Sequence, residues 1–370
     1  MEVGAPRKSV DLILLFLIVG LTLFGLIMMT SASSVVAERF RGDPYFFFKH
    51  QALYGGLGGV VAFVIGIFMP YKYWRILALP GLILALILLV LVFIPGLRLE
   101  YGGASRWIGV GPLTLQPTEI TKLAFIIYLA ALLERKGEDI RDFRKSVMPF
   151  LVITGLIGGL IALQPDIGTL FTIAAIAGAM VFASGFRFRH LAIIALAGAA
   201  LFAVLLNTAR YRLARVIVFL NPDLDQQGIG YQVAQSLLAV GTGGIWGLGF
   251  GRSRQKYQYL PEPASDSIFA IIAEELGFVR SSLVLAIFAL IGWRGFEIAL
   301  KAPDVFARLV AVGITSWILL QAFVNIGSIL GILPLTGIPL PFVSYGGSAL
   351  VTNLLAAGIL LNISRYNSSQ

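Results

Sequence analysis

The sequence contains no cysteine, only two histidines and few charged residues, which make up 13% of its 370 positions. Without cysteine there can be no disulfide, thiolate metal site or cysteine nucleophile, and His50 and His190 are too distant to build a histidine metal site. A soluble protein has about a quarter charged residues, so this composition, with 58% hydrophobic residues, excludes an ordinary soluble enzyme and a disordered or fibrous chain. The net charge of +9 therefore reports on bilayer orientation rather than on nucleic acid.

Long apolar stretches recur along the whole chain. A bilayer core about 30 Å thick needs about 20 apolar residues in a helix. Ten stretches qualify, near residues 11–31, 51–69, 76–95, 117–133, 147–164, 167–185, 191–208, 267–293, 308–332 and 348–364. The sequence predicts a single all-α, multi-pass membrane domain covering residues 1–370.

The basic residues indicate an orientation for these spans. With a cytoplasmic N-terminus, fifteen of the 28 basic residues fall in cytoplasmic segments and five in short outer loops, as the positive-inside rule requires. Both termini are then cytoplasmic, and one large extracytoplasmic loop covers about residues 209–266. Its moderately apolar pieces, broken by glycines, predict short amphipathic helices and turns on the outer leaflet.

Polar residues inside or beside spans mark candidate sites, because charge is costly there. Glu119 and Lys122 lie three residues apart and so share a helix face, either as a structural ion pair or as part of a substrate cavity wall. Asp166 follows a very short turn, where it can cap the next helix or line the rim of an outward cavity.

The densest polar cluster, Glu262, Asp266, Glu274 and Glu275, enters the eighth predicted span. Capping needs only one small polar residue, so we interpret Asp266 as functional and Glu274 and Glu275 as structural. Farther on, three prolines and three glycines lie between Leu333 and Gly347. This segment predicts a rigid turn around Ser344 in which the amides of Gly346 and Gly347 approach an anion, with a purely structural turn as the alternative.

At these segments the chain resembles the SEDS family of integral-membrane peptidoglycan glycosyltransferases, the FtsW and RodA type. The stretches that carry the resemblance are 105–108, 116–122, 164–168, 259–277 and 325–348. Residues 253–261 are more similar to the division branch, FtsW, than to the elongation branch, RodA. Arg280 departs from the family pattern, which has small or apolar residues there.

The resemblance implies a polymerase of lipid II in the bacterial plasma membrane, with its active site on the extracytoplasmic side. The family's catalytic aspartate maps onto Asp266, and Arg106, Glu119, Lys122 and Asp166 are carried over as substrate-binding positions. In the implied reaction the 4-hydroxyl of one lipid II attacks the anomeric carbon of an undecaprenyl pyrophosphate-linked glycan, with inversion. An alcohol nucleophile needs one positioned base, and Asp266 is the candidate.

The implied leaving group is a pyrophosphate, whose developing charge is stabilised by cations. Arg210, Arg252 and Lys256 in the large loop are predicted to bind it, with Arg212, Arg215 and Arg254 supplying further positive charge. The alternative for these residues is contact with anionic lipid head groups. A divalent cation such as Mg²⁺ or Mn²⁺ bridging the pyrophosphate is compatible with this chemistry, although the sequence assigns it no ligands.

Two other classes of function compete with the enzyme. A lipid II flippase would use Glu119, Lys122 and Asp166 to line a hydrophilic path and perform no chemistry. A scaffold would only recruit a partner, and the resemblance implies a class B penicillin-binding protein, a single-span transpeptidase, near the eighth and ninth spans. No nucleic-acid partner is expected.

Overall fold

The structure, a computed structural model, describes residues 9–101, 104–110, 113–137, 147–186, 188–207, 210–221, 228–257 and 259–367. The described part is a bundle of helices with one small sheet. The helices are α1 Leu12–Arg41, α2 Phe46–His50, a π-helix Gln51–Leu57, α3 Gly58–Phe68, α4 Tyr71–Ile76, α5 Ala78–Leu91, α6 Pro117–Lys136, α7 Met148–Leu163, α8 Ile167–Ala183, α9 Phe188–Asn207, α10 Arg210–Leu220, α11 Ile229–Gly243, α12 Ile268–Leu300, α13 Val305–Ile329 and α14 Gly347–Ser364. The strands are β1 Arg98–Tyr101, β2 Ala104–Val110 and β3 Leu113–Leu115.

Helix boundaries follow local sequence signals. Asp11 caps α1 by accepting the amide of Leu14 at 2.9 Å, and Gly42 ends the helix with φ +67°, a left-handed conformation that glycine adopts without strain. Pro117 occupies the first turn of α6, where its missing N–H costs nothing. The first and the fourth predicted spans therefore coincide with helices whose starts are marked in the sequence.

The centre of the bundle is α13, which packs against α6, α8, α12 and α14. Residues such as Phe306, Ile314 and Trp317 are fully buried along it. The pair α3 and α14 approaches closely because both present glycine: a Cβ on Gly358 would lie 3.0 Å from Gly66 Cα. Such small-residue contacts are typical of helices that pack inside a membrane, where burial from water supplies no driving force.

The small sheet between α5 and α6 is a feature that the all-α prediction missed. Strands β1, β2 and β3 form antiparallel pairs in that order, with Arg98 opposite Ile108 and Ile108 opposite Leu115. The strands have only three to seven residues, too few to give a clear alternating pattern between two apolar stretches. They matter because β2 carries Arg106.

Among the described residues, five helical stretches are long and apolar enough to cross a membrane: residues 12–41, 46–68 (α2, the π-helix and α3 together), 268–300, 305–329 and 347–364. Shorter apolar helices lie within 78–91, 148–163, 167–183 and 189–200. The helical, multi-span character is thus confirmed in the described part of the chain. The number of ten spans and the position of loop 209–266 relative to a bilayer stay predictions, although α10 and α11 are short helices of the kind expected there.

Candidate active site

Asp266 lies directly before α12, with its side chain partly exposed. The helix is capped at Ser267, and no side chain donates or accepts a cap hydrogen bond at this end, so Asp266 does not act as the helix cap. Its backbone carbonyl accepts the side-chain amide of Asn325 from α13 at 2.9 Å. Its carboxylate faces Gly337, where a Cβ would come within 3.3 Å of Asp266 Oδ2. The carboxylate is therefore available to a ligand.

The α13–α14 loop, residues 330–346, forms the wall that holds this aspartate. Asn325 also donates to the carbonyl of Ile338 at 2.8 Å, so one amide ties Asp266 to the loop. The Ser344 hydroxyl donates to the carbonyl of Ser265 at 2.6 Å and accepts the amide of Leu340 at 2.8 Å. Ser344 is buried and its hydroxyl holds the loop in place, so its role in substrate binding stays a prediction.

The predicted anion contact at Gly346 and Gly347 also needs correction. The amide of Gly346 already donates to the Gln51 side-chain oxygen at 3.1 Å, so it is not available to an anion. Gly347 begins α14 and faces Gly55, where a Cβ would lie 3.8 Å from the Gly55 amide nitrogen. These glycines serve close packing of α14 against the π-helix.

Arg106 and Asp166 lie together beside the α7–α8 turn. Arg106 Nε donates to the carbonyl of Gln164 at 3.3 Å, its Nη2 donates to the carbonyl of Pro165, and its Nη1 is 4.0 Å from Asp166 Oδ1. Asp166 caps α8, accepting the amide of Thr169 at 3.1 Å and its hydroxyl at 2.8 Å. The capping interpretation of Asp166 is therefore confirmed, and the same carboxylate also orients Arg106.

A second arginine, Arg215, reaches the site from α10. Its Nη1 donates to the carbonyl of Leu335 in the α13–α14 loop at 3.2 Å. The start of α8 packs on the same loop, because a Cβ on Gly168 would lie 2.9 Å from the carbonyl oxygen of Thr336. Elements far apart in sequence thus converge on the loop that faces Asp266.

The electrostatics of this cluster place the titration of Asp266 near neutrality. The pKa of Asp266 is raised to about 7, first by burial and then by the carboxylates of Glu262 and Asp166, while Arg106 and Arg215 oppose the shift. A general base works best when its pKa is close to the working pH. Asp266 therefore has the pKa of a base that can accept a proton from an alcohol as bond formation proceeds.

Glu119 and Lys122 form a fully buried pair, with exposed fractions of 1% and 0%. Lys122 Nζ donates to Glu119 Oε1 at 2.8 Å and to Gln321 Oε1 at 2.7 Å, and the Trp317 indole donates to the same oxygen at 2.7 Å. The Gln321 amide in turn donates to the carbonyl of Pro339 at 2.9 Å. Direct substrate binding by this pair does not fit such burial, and the structure favours the alternative of an ion pair that supports the loop facing Asp266.

The loop cations that are predicted to bind the pyrophosphate differ in how exposed they are. Lys256 is buried, and its ammonium donates to Glu275 at 3.2 Å and to the carbonyl of Gly251 at 2.6 Å, so it is not available to a pyrophosphate. Arg252 is exposed on the same segment. Arg210 begins α10, and its side chain lies outside the described residues.

Several residues of the site were missed by sequence reasoning. Arg215 was only one of six loop cations, and nothing in the sequence separated it from Arg252. Gln321 and Asn325 were overlooked, although two amides four residues apart in an apolar span are a visible signal, since both project from one helix face. Gly337 has φ +71° and touches Asp266 only because the loop folds back.

The long apolar helices and the polar cluster at one end of the bundle define an integral membrane protein with a charged site at the edge of its spans. The chain belongs to the FtsW, RodA and SpoVE family, whose model, described as "Cell cycle protein", matches residues 12–369. The predicted family is thereby confirmed.

Relatives and solved structures agree with this membership. The chain is 44% identical over 361 residues to stage V sporulation protein E of Bacillus subtilis (strain 168), covering 98% of both chains. It is 41% identical to a probable peptidoglycan glycosyltransferase FtsW of Trichlorobacter lovleyi, covering 96% of this chain and 93% of the relative. A chain of a peptidoglycan synthase complex, described as coordinating polymerization and crosslinking, matches with a TM-score of 0.79 at 31% identity over 96% of this chain and 98% of that one. The rod shape determining protein RodA of Thermus thermophilus matches with a TM-score of 0.71 at 29% identity, covering 98% and 99%.

Proposed function

We propose that this chain is a peptidoglycan glycosyltransferase that polymerises lipid II, with Asp266 as the general base. The observation that carries the proposal is a partly exposed carboxylate with a pKa raised to about 7, located directly before a long apolar helix and close enough to Arg106 and Arg215 for both to act on its pKa. The naming of relatives as probable peptidoglycan glycosyltransferases supports the reaction class.

In the proposed reaction the 4-hydroxyl oxygen of an acceptor lipid II attacks the anomeric carbon of the donor. The new glycosidic C–O bond forms as the bond from that carbon to the pyrophosphate oxygen breaks, and the anomeric configuration inverts. The hydroxyl proton passes to Asp266, and undecaprenyl pyrophosphate leaves with the bonding electron pair. A direct displacement needs a single carboxylate on the attacking side, which matches the single candidate base.

Arg106 and Arg215 are the cations proposed to bind the leaving pyrophosphate and stabilise its negative charge. Both guanidinium groups are close enough to Asp266 to lower its pKa, and each donates to a backbone carbonyl beside the site. A guanidinium presents several donors in a fixed plane and suits phosphate oxygens. Arg252 stays a candidate for the same anion from its exposed position.

A divalent cation, if it takes part, would depend on the pyrophosphate for most of its ligands. Among the residues that the structure describes, no three His, Asp or Glu side chains come together to hold a metal ion. The carboxylates of the site are Asp266, Glu262 and Asp166, and Asp166 is already engaged by Thr169.

A lipid-facing cavity supports a polyprenyl-linked substrate. It has a volume of about 750 Å³ and lies between the π-helix, α5, α6 and α14, with apolar lining such as Leu84, Ile127 and Leu355. Its polar end includes His50, which pairs with the Tyr345 hydroxyl at 3.1 Å. The amide of Tyr345 donates to the carbonyl of Ala264, two residues before Asp266. Tyr345 therefore connects the polar lining of this cavity to the segment that carries the proposed base.

The proposed setting is the bacterial plasma membrane, with ten spans, both termini cytoplasmic and Asp266 on the extracytoplasmic side, as the distribution of basic residues indicates. The proposed partner is a class B penicillin-binding protein, supported by the match to a chain of a peptidoglycan synthase complex. The FtsW and sporulation names of the relatives support a role in division or sporulation rather than elongation.

The decisive experiment is polymerisation of purified lipid II by detergent-solubilised protein. Detergent micelles have no two leaflets, so transport between leaflets cannot contribute to the result. We expect glycan strands from the wild type and none from Asp266→Asn. Asp43→Asn is the matched control, since Asp43 lies in a surface pair with Lys49 far from the α13–α14 loop in sequence. The assay is run with and without chelator.

The alternatives give different results. A flippase would show no polymerisation in detergent but would move lipid II in vesicles. A scaffold would tolerate Asp266→Ala with its partner bound and cell-wall synthesis intact. An Asp266→Asn variant that polymerises at the wild-type rate contradicts the proposal.

A further inference from the structure

Helix α12 is interrupted near its start. Gly277 has φ +78° and ψ 177°, a combination that essentially only glycine adopts. A Cβ there would lie 2.2 Å from the Gly247 amide nitrogen, so the position has no room for any side chain. The first segment of α12, residues 268–276, is therefore a short helix that begins beside Asp266 and is separated from the long remainder of the helix.

The segment 244–256 fills this break. It replaces the hydrogen bonds that an unbroken helix would make, which satisfies backbone groups that would otherwise be buried and unpaired. These bonds are Leu248 N to Glu274 O at 3.0 Å, Gly249 N to Glu275 O at 2.9 Å, Phe278 N to Gly244 O at 2.8 Å and Val279 N to Ile245 O at 3.3 Å. Arg280, whose role the sequence left open, donates to the carbonyl of Trp246 at 3.1 Å.

Two adjacent carboxylates lock the same segment to the short helix. Glu274 accepts the hydroxyl of Ser253 and the backbone amides of Arg254 at 3.0 Å and Gln255 at 3.3 Å. Its side chain is fully buried. Charge-assisted bonds from amides to a carboxylate are shorter and stronger than neutral ones, so this contact fixes the register between the loop and the helix.

Glu275 also bonds the short helix to a third element, helix α1. It accepts the amides of Gly251 at 2.9 Å and Ser253 at 3.2 Å, the ammonium of Lys256 at 3.2 Å and the hydroxyl of Ser31 on α1 at 2.6 Å. Its side chain is also fully buried. The short helix that precedes the break is thus bonded to α1 and to segment 244–256, in addition to the packing of α12 on α11 and α13.

We propose that Glu274 and Glu275 are positioning residues for Asp266, and that together with residues 251–256 they form a carboxylate clamp that sets where the base lies in the site. This inference rests on the proposed function of Asp266. Because Gly277 interrupts α12, the position of the short helix depends on the clamp at its end and, at its start, on the α13–α14 loop and on Asn325 of α13. Burial of two carboxylates lowers the free energy of unfolding. In this structure the two carboxylates fix the geometry between segment 244–256 and the short helix.

The test compares Glu275→Gln and Glu274→Gln with the wild type in the lipid II polymerisation assay, per amount of folded protein. Each glutamine keeps the size of the side chain but loses the charge that attracts the amides. We expect kcat to fall at least tenfold with KM nearly unchanged. The acidic limb of the pH profile of kcat/KM should also shift to a different pH, because the Asp266 carboxylate changes its position relative to the charged groups that face it. These groups are Glu262, Asp166, Arg106 and Arg215.

Glu38→Gln, at an exposed position on α1, is the matched control and should leave both parameters at wild-type values. Ser253→Ala is the milder variant, because it removes one hydroxyl from the clamp and keeps both carboxylate charges. We expect kcat to fall several-fold and the acidic limb of the pH profile to shift in the same direction as in the glutamine variants. Variants that yield less folded protein but retain the wild-type kcat and acid limb would overturn the proposal, since the clamp would then serve folding only.

A second readout does not depend on activity. The chain has no cysteine, so Glu262→Cys places a single spin label four residues before Asp266. We expect the label to become more mobile when Ser253→Ala or Glu275→Gln is added, and unchanged spectra would refute the clamp. If the wild type does not polymerise lipid II, the proposed function fails, and the spin-label result still decides whether the clamp positions this segment.

Discussion

Replacing Asp266 with asparagine should make the folded protein more stable at alkaline pH while it abolishes polymerisation. A base kept partly buried at a raised pKa is a cost to folding, because the folded protein resists its ionisation. Asparagine has the same shape and carries no charge. The structure shows no hydrogen bond within the described residues that depends on the Asp266 carboxylate, since Asn325 binds the backbone carbonyl, so the substitution removes the cost without breaking a contact.

The magnitude follows from the pKa of Asp266, which is about 7 in the folded protein against 3.8 for the free side chain. Between these values the folded chain holds a proton that the unfolded chain has lost, so the free energy of unfolding falls as the pH rises through this window. Three pH units at about 1.4 kcal/mol each amount to about 4 kcal/mol. The wild type therefore loses about 4 kcal/mol between pH 4 and pH 8, and Asp266→Asn should not.

The assay is thermal unfolding in detergent, followed by the fluorescence of the five tryptophans, at several pH values between 4 and 8. The gain in stability of Asp266→Asn over the wild type should be largest at pH 8 and vanish near pH 4. Asp43→Asn should show no gain at pH 8, because a hydrogen bond from Lys49 lowers the pKa of Asp43. A difference that does not change with pH, or an asparagine variant that is less stable at pH 8, would refute the reasoning.

Further outcomes are expected from the surroundings of the base. In the wild type, the polymerisation rate at low substrate should fall about tenfold per pH unit below pH 7, because Asp266 must be ionised to accept a proton; a rate that stays flat to pH 5 contradicts this. Arg106→Ala should move that acid limb to higher pH, since the guanidinium lowers the pKa of Asp266; a pH–rate profile shows the shift or its absence. Lys122→Met should destabilise the protein by about 3–5 kcal/mol, because it leaves Glu119 buried and unpaired, whereas adding Glu119→Gln should restore part of the loss in thermal unfolding; purely additive effects would refute the pairing. Gly337→Ala should cost about 1–2 kcal/mol at φ +71° and should lower kcat more than it raises KM, because its Cβ would press on Asp266 Oδ2 at 3.3 Å.

The sequence predicted the parts of this protein that depend on local composition. Apolar length marks a span regardless of its neighbours, and each predicted span coincides with a helix in the described residues. Asp266 could be singled out because an acid at the entrance to an apolar helix is expensive wherever the rest of the chain lies. Capping by Asp166 was likewise predictable, since a cap depends on residues only three positions apart.

The partners of Asp266 could not be predicted in this way. Six basic residues in loop 209–266 are equivalent in sequence, and only the packing of α10 on the α13–α14 loop selects Arg215. Lys256 was expected to face substrate, yet the break at Gly277 draws its segment inward to Glu275. The sequence alone therefore determined that the chain enters a membrane, and it identified the acidic residue at the entrance to an apolar helix as energetically unfavourable. Tertiary structure decided which charges meet that acid, because electrostatic interactions depend on distances through space, and residues hundreds of positions apart are brought together only when the helices pack.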